Sequence, residues 1–260
     1  VKYDGRELIG LDRKELRELR KEIQMVFQDP YASLNPKMPV NDIIAEPFVI
    51  HGDLSGSERQ DKVAQLLKDV GLRPEHGNRY PHEFSGGQRL RIGIARSLAL
   101  DPGFIVLDEP VSALDVSVQA GVINLLRRIQ EQRNIAYLFI AHDLSVVAQI
   151  SHRVAVLYVG KFVEYAPTEK LFFAPRHPYT HALLSAVPRA DPDARFDPIK
   201  LTGEIPNPLS APSGCRFHTR CPFARERCAA DEPAWRAIDE DHFVACHFAE
   251  EFDFSRPRSH

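Results

Sequence analysis

The first 214 residues of the chain contain no cysteine; all four fall late, at Cys215, Cys221, Cys228 and Cys246. Most of the fold therefore has no disulfide framework, and a late cluster of this kind points to metal more often than to disulfides. No run of about 18 apolar residues occurs, so nothing in the sequence reads as a membrane-spanning helix. Nothing resembles a secretory leader either, and a cytosolic chain is expected. Positive charge is not in surplus: 33 Lys and Arg face 36 Asp and Glu, for a net charge of −3. That balance argues against a nucleic-acid partner, which needs cations to neutralise phosphates. The most basic stretch, Arg13 to Lys21, is interleaved with Glu15, Glu18 and Glu22, and reads as a solvated helix laced by ion pairs. Gly-x-x-x-x-Gly-Lys-[Ser/Thr] is absent from these 260 residues; the only Gly-Lys pair, Gly160-Lys161, lacks the upstream glycine. The sequence opens Val1-Lys2-Tyr3-Asp4-Gly5, which reads as the middle of something.

What is present is the composition of a globular protein, 43% hydrophobic and 27% charged, long enough for one large domain or a domain with an appendage. Asp12 is a plausible cap for a helix carrying Leu16, Leu19 and Ile23 on one face. Gln24 to Gln28 reads as a short buried strand, stopped by the turn-rich Asp29 to Pro36. Residues 37–100 are expected to be mostly helical. Ser57 is placed as the cap of a helix with Val63, Leu66, Leu67 and Val70 inside and Gly71 at its end, and a second helix opens after Ser85-Gly86-Gly87. Phe104–Leu107 is a buried parallel strand, followed by a helix with Val118, Val122, Ile123, Leu126 and Ile129 at helical spacing. Ala136–Ile140 is expected to be another buried strand, and Val154–Tyr158, Gly160-Lys161 and Phe162–Tyr165 form a hairpin. Strand and helix in alternation imply an α/β sheet with right-handed crossovers. After Pro167 prolines recur, at 175, 178, 188, 192, 198, 206, 208 and 212, around one helix near Tyr179 to Val187.

Two segments carry chemistry on their own. Asp108-Glu109 ends a buried strand, where two adjacent acids are costly unless something uses them. Mg²⁺ at Asp108 and a polarised water at Glu109 would explain the pair; solvated acids at a strand end are the ordinary alternative. Ser85-Gly86-Gly87-Gln88 opens a helix, so its backbone could approach an anion at a favourable dipole; a flexible helix start explains it equally well in isolation.

The order of signals is more specific than either segment. Gln28 at a strand end, Phe84-Ser85-Gly86-Gly87-Gln88, Asp108-Glu109, Ser112-Ala113-Leu114-Asp115 and His142 closely resemble the Q-loop, signature motif, Walker B, D-loop and switch histidine of ABC ATPases. Phe27 to Pro36, Tyr80 to Phe84, Val111 to Ser117, His177-Pro178-Tyr179-Thr180 and the cysteine segment resemble the oligopeptide/dipeptide importer branch. Leu90 departs from it, standing where Gln is expected, and Gly121 sits inside a helix at about 1 kcal/mol relative to Ala.

The resemblance implies a P-loop NTPase-type (RecA-like) α/β fold with a parallel sheet, an ABC helical subdomain and a Cys-rich C-terminal extension. It divides the chain into a core remnant with the Q-loop (1–36), a helical subdomain with the signature motif (37–100), core with Walker B, D-loop and switch histidine (101–166), and the extension (167–260). It implies a peptide-transporting ABC-type ATPase. Glu109 is the catalytic base, and His142 contacts the γ-phosphate. Asp108 and Gln28 act at Mg²⁺, Gln28 also touching the attacking water. Ser85, Gly86, Gly87 and Gln88 bind ATP held by the opposite subunit, and Asp115 links the two sites. The implied partners are a second ATPase subunit, a paralogue in a head-to-tail dimer, two transmembrane permease subunits and, indirectly, an extracytoplasmic peptide-binding protein. The implied location is the cytoplasmic face of the inner membrane. Relatives carry their P-loop before the segment matching Val1, so these 260 residues alone are expected to bind ATP weakly or not at all. Other readings are a soluble ABC ATPase without a membrane partner, or a non-catalytic metal-binding remnant. For Cys215, Cys221, Cys228 and Cys246 the alternatives are a [4Fe–4S] cluster, known in some members of the resembled family, Zn²⁺, or unmetallated thiols. His218, His242 and His247 lie nearby in sequence and are alternative ligands in place of one cysteine, but each is read first as a surface histidine.

Overall fold

The structure, a computed structural model, describes residues 1–29, 33–52, 54–187 and 198–255. Pro30, Tyr31 and Ala32 of the expected turn, and Pro188 and Pro192, lie outside the described residues. The chain divides into two compact units, 1–143 and 144–260.

In the first unit a two-stranded hairpin, β1 (Lys2–Tyr3) and β2 (Arg6–Glu7), turns at Asp4-Gly5, both at positive φ. Helix α1 (Arg13–Glu22) starts at Asp12, whose carboxylate accepts from Glu15 N while Glu15 accepts from Asp12 N. This reciprocal cap satisfies two otherwise orphaned donors. The chain passes directly into β3 (Ile23–Val26), which joins β4 (Phe104–Asp108) and β5 (Ala136–Ile140) in a parallel sheet of order β3-β4-β5. Register pairs Val26 with Leu107 and Asp108 with Ile140, so all three strands end at one edge.

The two faces of that sheet differ. Val26, Ile105 and Leu107 are buried, whereas Met25, Leu138 and Ile140, which point the other way, are 40%, 49% and 42% exposed. The expectation that β5 is buried is therefore corrected: it lies at the sheet edge and shows one face to solvent. Asp108 shares that open face, because its register partner is Ile140.

Three helices between β3 and β4 pack on one another: α2 (Val40–His51), α3 (Gly56–Asp69) and α4 (Gly86–Ser97), around Val40, Ile44, Leu67, Leu90 and Ile92. Leu90, the departure from the resembled pattern, is wholly buried. The cap of α3 is Ser55, not Ser57: Ser55 and Glu58 bond each other's backbone N–H, and the helix gains residues by starting earlier. Gly71, at φ +76°, follows its end as expected. Helix α5 (Val116–Arg133) is capped by Asp115 and closed by Asn134 in the left-handed region.

In the second unit α6 (Leu144–Ile150) precedes a hairpin, β6 (Arg153–Tyr158) and β7 (Lys161–Pro167), turning at Val159-Gly160 with φ of +47° and +75°. A tight hairpin turn of this kind requires positive φ at both central residues, which rules out a phosphate loop at Gly160-Lys161. The hairpin does not join the parallel sheet. It forms an antiparallel sheet of order β6-β7-β9-β8 with β8 (Arg236–Asp239) and β9 (His242–Val244) from the cysteine-bearing segment. Helices α7 (Thr168–Phe173), α8 (Pro178–Ser185) and α9 (Glu226–Ala230) complete the unit.

Candidate functional site

Glu109 follows β4 with φ +41°, a conformation that side-chain-bearing residues adopt only at a cost. Its backbone is held on both sides. The N–H donates to Ile140 O at 3.0 Å, and the carbonyl accepts from Ser112 N (3.2 Å) and Ser112 Oγ (3.0 Å). This fixes the carboxylate at the strand-end edge, where Oε2 accepts from Gln28 Nε2 at 3.1 Å and lies 3.2 Å from His142 Nδ1. Three residues far apart in sequence thus meet on one oxygen, because β3, β4 and β5 are parallel and end together. The Glu109 side chain is 28% exposed and that of His142 69%, so the group is open to a ligand from solvent. The neighbouring Asp108 carboxylate has no hydrogen-bond or ion-pair partner among the described residues.

Ser85, Gly86, Gly87 and Gln88 form the first turn of α4. Ser85 Oγ accepts from Gln88 N at 3.4 Å, and Gln88 Oε1 accepts from Ser85 N at 3.0 Å, so the Gln88 side chain is engaged in capping. Asp115 caps α5 in the same way, accepting from Val118 N (3.0 Å) and Ser117 Oγ (2.8 Å). These bonds, the Val118 N–H first, hold its carboxyl below the ordinary value of 3.8. The two helix starts abut. A Cβ on Gly87 would lie 2.3 Å from Val118 Cγ1, and one on Gly86 would lie 3.3 Å from Leu114 Cδ2. Both glycines have a packing role that the sequence pattern did not disclose. The same holds for Arg96, whose guanidinium joins α4 to Ser33 O and to Glu46 of α2.

Residues 1–112 match the model of the family described as ABC transporter, and residues 163–228 that of the oligopeptide/dipeptide transporter, C-terminal region. The di/tripeptide transport ATP-binding protein DppF of Pseudomonas aeruginosa is 51% identical over 252 residues, 97% of this chain and 78% of that protein. The oligopeptide transport ATP-binding protein AppF of Bacillus subtilis is 52% identical over 250 residues, 95% and 76% respectively. The chain belongs to the oligopeptide/dipeptide transporter ATP-binding family. Solved ABC proteins share its fold. CbiO1 of Clostridium perfringens aligns with TM-score 0.60 and 27% identity, over 65% of this chain and 66% of that one. The ATP-binding cassette MJ0796, in a dimeric post-hydrolysis state with ADP and Pi, aligns with TM-score 0.57 and 29% identity, over 64% and 72%.

In this transporter ATP-binding protein, the second unit brings all four cysteines to the wall of one cavity of about 20 Å³, with His177, Phe217, His218 and His247 among its other lining residues. Burial pushes the Cys221 thiol up to about 11 and the Cys246 thiol up to about 12, and each is raised further by its fellow cysteines. Burial also raises Cys215, with a contribution from Cys228. Among the described residues, however, no three His, Cys, Asp or Glu side chains converge closely enough to hold a single metal ion.

The surface reading of His242 is corrected. It is 2% exposed, and its Nε2 lies 2.7 Å from Oε1 of the wholly buried Glu164. Glu164 also accepts from the backbone N–H groups of Arg176 (2.6 Å) and His177 (3.0 Å). His218 is half-buried, with Nδ1 2.8 Å from Cys215 O, and His247 lies 2.9 Å from Asp231 O through Nε2. Glu164 and His177 were missed as site residues. His177 stood in the His-Pro-Tyr-Thr motif, and its position after a proline-bounded loop was the available signal.

Proposed function

We propose that this chain is part of the ATP-hydrolysing, energy-coupling subunit of an oligopeptide or dipeptide importer, in which Glu109 is the general base, and that these 260 residues alone do not turn ATP over. The observation that carries the reading is the Glu109 carboxylate held between Gln28 and His142 at the strand-end edge. Glu109 accepts the proton of the attacking water, Gln28 orients that water, and His142 binds the γ-phosphate. Asp108, on the open sheet face without a competing partner, and Gln28 are the residues that would hold Mg²⁺, which supplies charge neutralisation at the phosphates. Ser85 to Gln88 present the start of α4 to the nucleotide of a second, paralogous subunit arranged head to tail, and Asp115 lies between the two nucleotides. Two permease subunits and an extracytoplasmic peptide-binding protein complete the assembly, with this subunit peripheral at the cytoplasmic membrane face. Among the described residues no helix is long and apolar enough to cross a membrane.

Residues 167–260 are the Cys-rich extension in this reading, and its four thiols are ligands of an iron–sulfur cluster. The donor set favours a cluster over zinc. Four thiolates about 2.3 Å from one zinc would crowd to about 3.8 Å from each other, and the described side chains do not converge on one ion. A cubane takes one thiolate per iron, so the four need not converge on a point; the cavity they line, about 20 Å³, is smaller than such a cluster, and the segment would have to open to admit it.

The test is Glu109→Gln in the transporter reconstituted with its permeases. ATP-dependent peptide uptake and hydrolysis are expected to fall by about 10²–10⁴, the usual contribution of a general base, with nucleotide binding kept. Hydrolysis at the unsubstituted rate would overturn the assignment.

A further inference from the structure

We propose that the second unit carries a binding pocket for an apolar α-amino acid, or a short peptide with both termini free. Phe162 and Trp235 would hold the ligand's side chain, and Lys161, Arg216 and Glu232 its two charged groups. The pocket forms wholly within that unit, and the inference does not rest on the ATPase reading.

The pocket has a volume of about 220 Å³ and lies between the start of β7, the loop 214–217 and the segment 232–235. Its frame is fixed on two sides. Ala245 N donates to Val163 O at 2.9 Å, and the Trp235 ring stacks on Phe243 with centroids 6.0 Å apart. The deeply buried lining residues, Val163 and Phe217, are apolar, whereas Lys161 and Glu232 are exposed, so charge gathers at the mouth and the interior is greasy. Phe162 and Trp235 are 54% and 45% exposed, with centroids 6.1 Å apart. Two large rings left wet around a concavity gain from an apolar side chain that covers them.

The charges narrow the ligand further. Lys161 Nζ lies 2.9 Å from Glu232 Oε1. Lys161, and Arg216 more weakly, hold the Glu232 carboxyl below its ordinary value of 4.5, so all three groups share one neighbourhood. Arg216 donates to Val159 O and makes no other hydrogen bond or ion pair among the described residues. A guanidinium has five N–H donors, which leaves most of this fork for a carboxylate. Two cations and one carboxylate suit a ligand that carries both signs: a simple anion meets Glu232, and a simple cation meets Lys161 and Arg216. Size decides the rest. The pocket is smaller than the roughly 300–1,000 Å³ of pockets for drug-sized ligands, and suits one side chain with its ammonium and carboxylate groups, or the end of a short peptide.

The full-length protein would be titrated with phenylalanine and, separately, with the dipeptide alanyl-phenylalanine. Binding is read by calorimetry and by the emission of Trp235, the only tryptophan of these 260 residues. Saturable binding of at least one is expected; tighter binding of the dipeptide assigns the pocket to peptides, and of phenylalanine to free amino acids. N-acetylation or amidation of the better ligand is expected to weaken binding at least about tenfold, and glycine in place of phenylalanine by at least as much. In Glu232→Gln, an exposed and nearly isosteric change, the preference for the free over the N-acetylated ligand is expected to vanish while that over the amide stays. Absence of binding by both ligands up to about 10 mM overturns the proposal. So does equal binding of free and blocked ligands, or an N-acetyl preference unchanged in Glu232→Gln.

Discussion

Replacing Gly87 by alanine tests whether the start of α4 is set by packing as well as by its proposed ligand. The added Cβ would meet Val118 Cγ1 at 2.3 Å, well inside contact distance. Val118 cannot easily yield, because a β-branched side chain in a helix has one strongly preferred rotamer. Forcing an extra methyl into a close-packed contact costs about 1–3 kcal/mol. Against this stands the better helix propensity of alanine, about 1 kcal/mol, so the expected net loss is about 0–2 kcal/mol and the sharper readout is its dependence on Val118. Gly86→Ala is the control: its Cβ would meet only the tip of Leu114 at 3.3 Å, which can give way. The assay is denaturant unfolding of the purified protein for Gly87→Ala, Gly86→Ala, Val118→Ala and the Gly87→Ala/Val118→Ala double variant. The double variant should recover much of the loss, because residues in contact are not additive. If Gly87→Ala changes stability by the same amount in the Val118→Ala background as in the parent, the two helix starts are not packed as described.

Glu164→Ala should lower stability by about 3–5 kcal/mol, because it leaves the buried His242 and two backbone N–H groups without their acceptor; a thermal melt shifted by no more than that of an exposed Glu250→Ala control would contradict this. Asp115 gives a pH signature. Its folded pKa lies below the ordinary 3.8, so its capping contribution is complete above that value and is lost as pH falls through the folded pKa. Asn at the same position caps at every pH, so the stability difference between Asp115→Asn and the parent should change only on the acid side; a constant difference down to pH 3 would refute it. Arg133→Ala should destabilise modestly, by up to about 1 kcal/mol per lost pair, since the guanidinium joins Asp69 (2.5 Å) and Asp101 (2.8 Å) at the end of α5; equal unfolding midpoints at low and high salt would show the pairs contribute nothing.

What could be read along the chain was whatever is local in sequence. Asp108-Glu109 stood out as paired acids after an apolar run, while Gln28 and His142 were picked out by the resemblance to ABC ATPase motifs; each follows a short apolar run, and a parallel sheet delivers such ends to a common edge. Burial was harder, since it depends on what lies opposite. Ala136–Ile140 is apolar throughout and reads as interior, yet as an edge strand it shows alternate side chains to solvent. Ser55 and Ser57 both offer a cap near the start of the same helix, each with a Glu or Gln three residues on; the cap is Ser55, and Ser57 lies inside the helix. His242 sits beside Asp239, Glu240 and Asp241, a run that reads as surface, and its partner Glu164 lies 78 residues away. The cysteine spacing shows the same limit. Intervals of five, six and seventeen residues say nothing about convergence, and the four thiols share a wall only because β9 returns to pair with β7 and closes Cys246 over the loop bearing Cys215 and Cys221. That closure depends on Glu164, which stands in β7 and binds both β9 and the segment carrying His177. The buried carboxylate thereby positions the cavity wall without touching a sulfur, and Glu164→Ala should loosen any group bound there in parallel with the loss of stability.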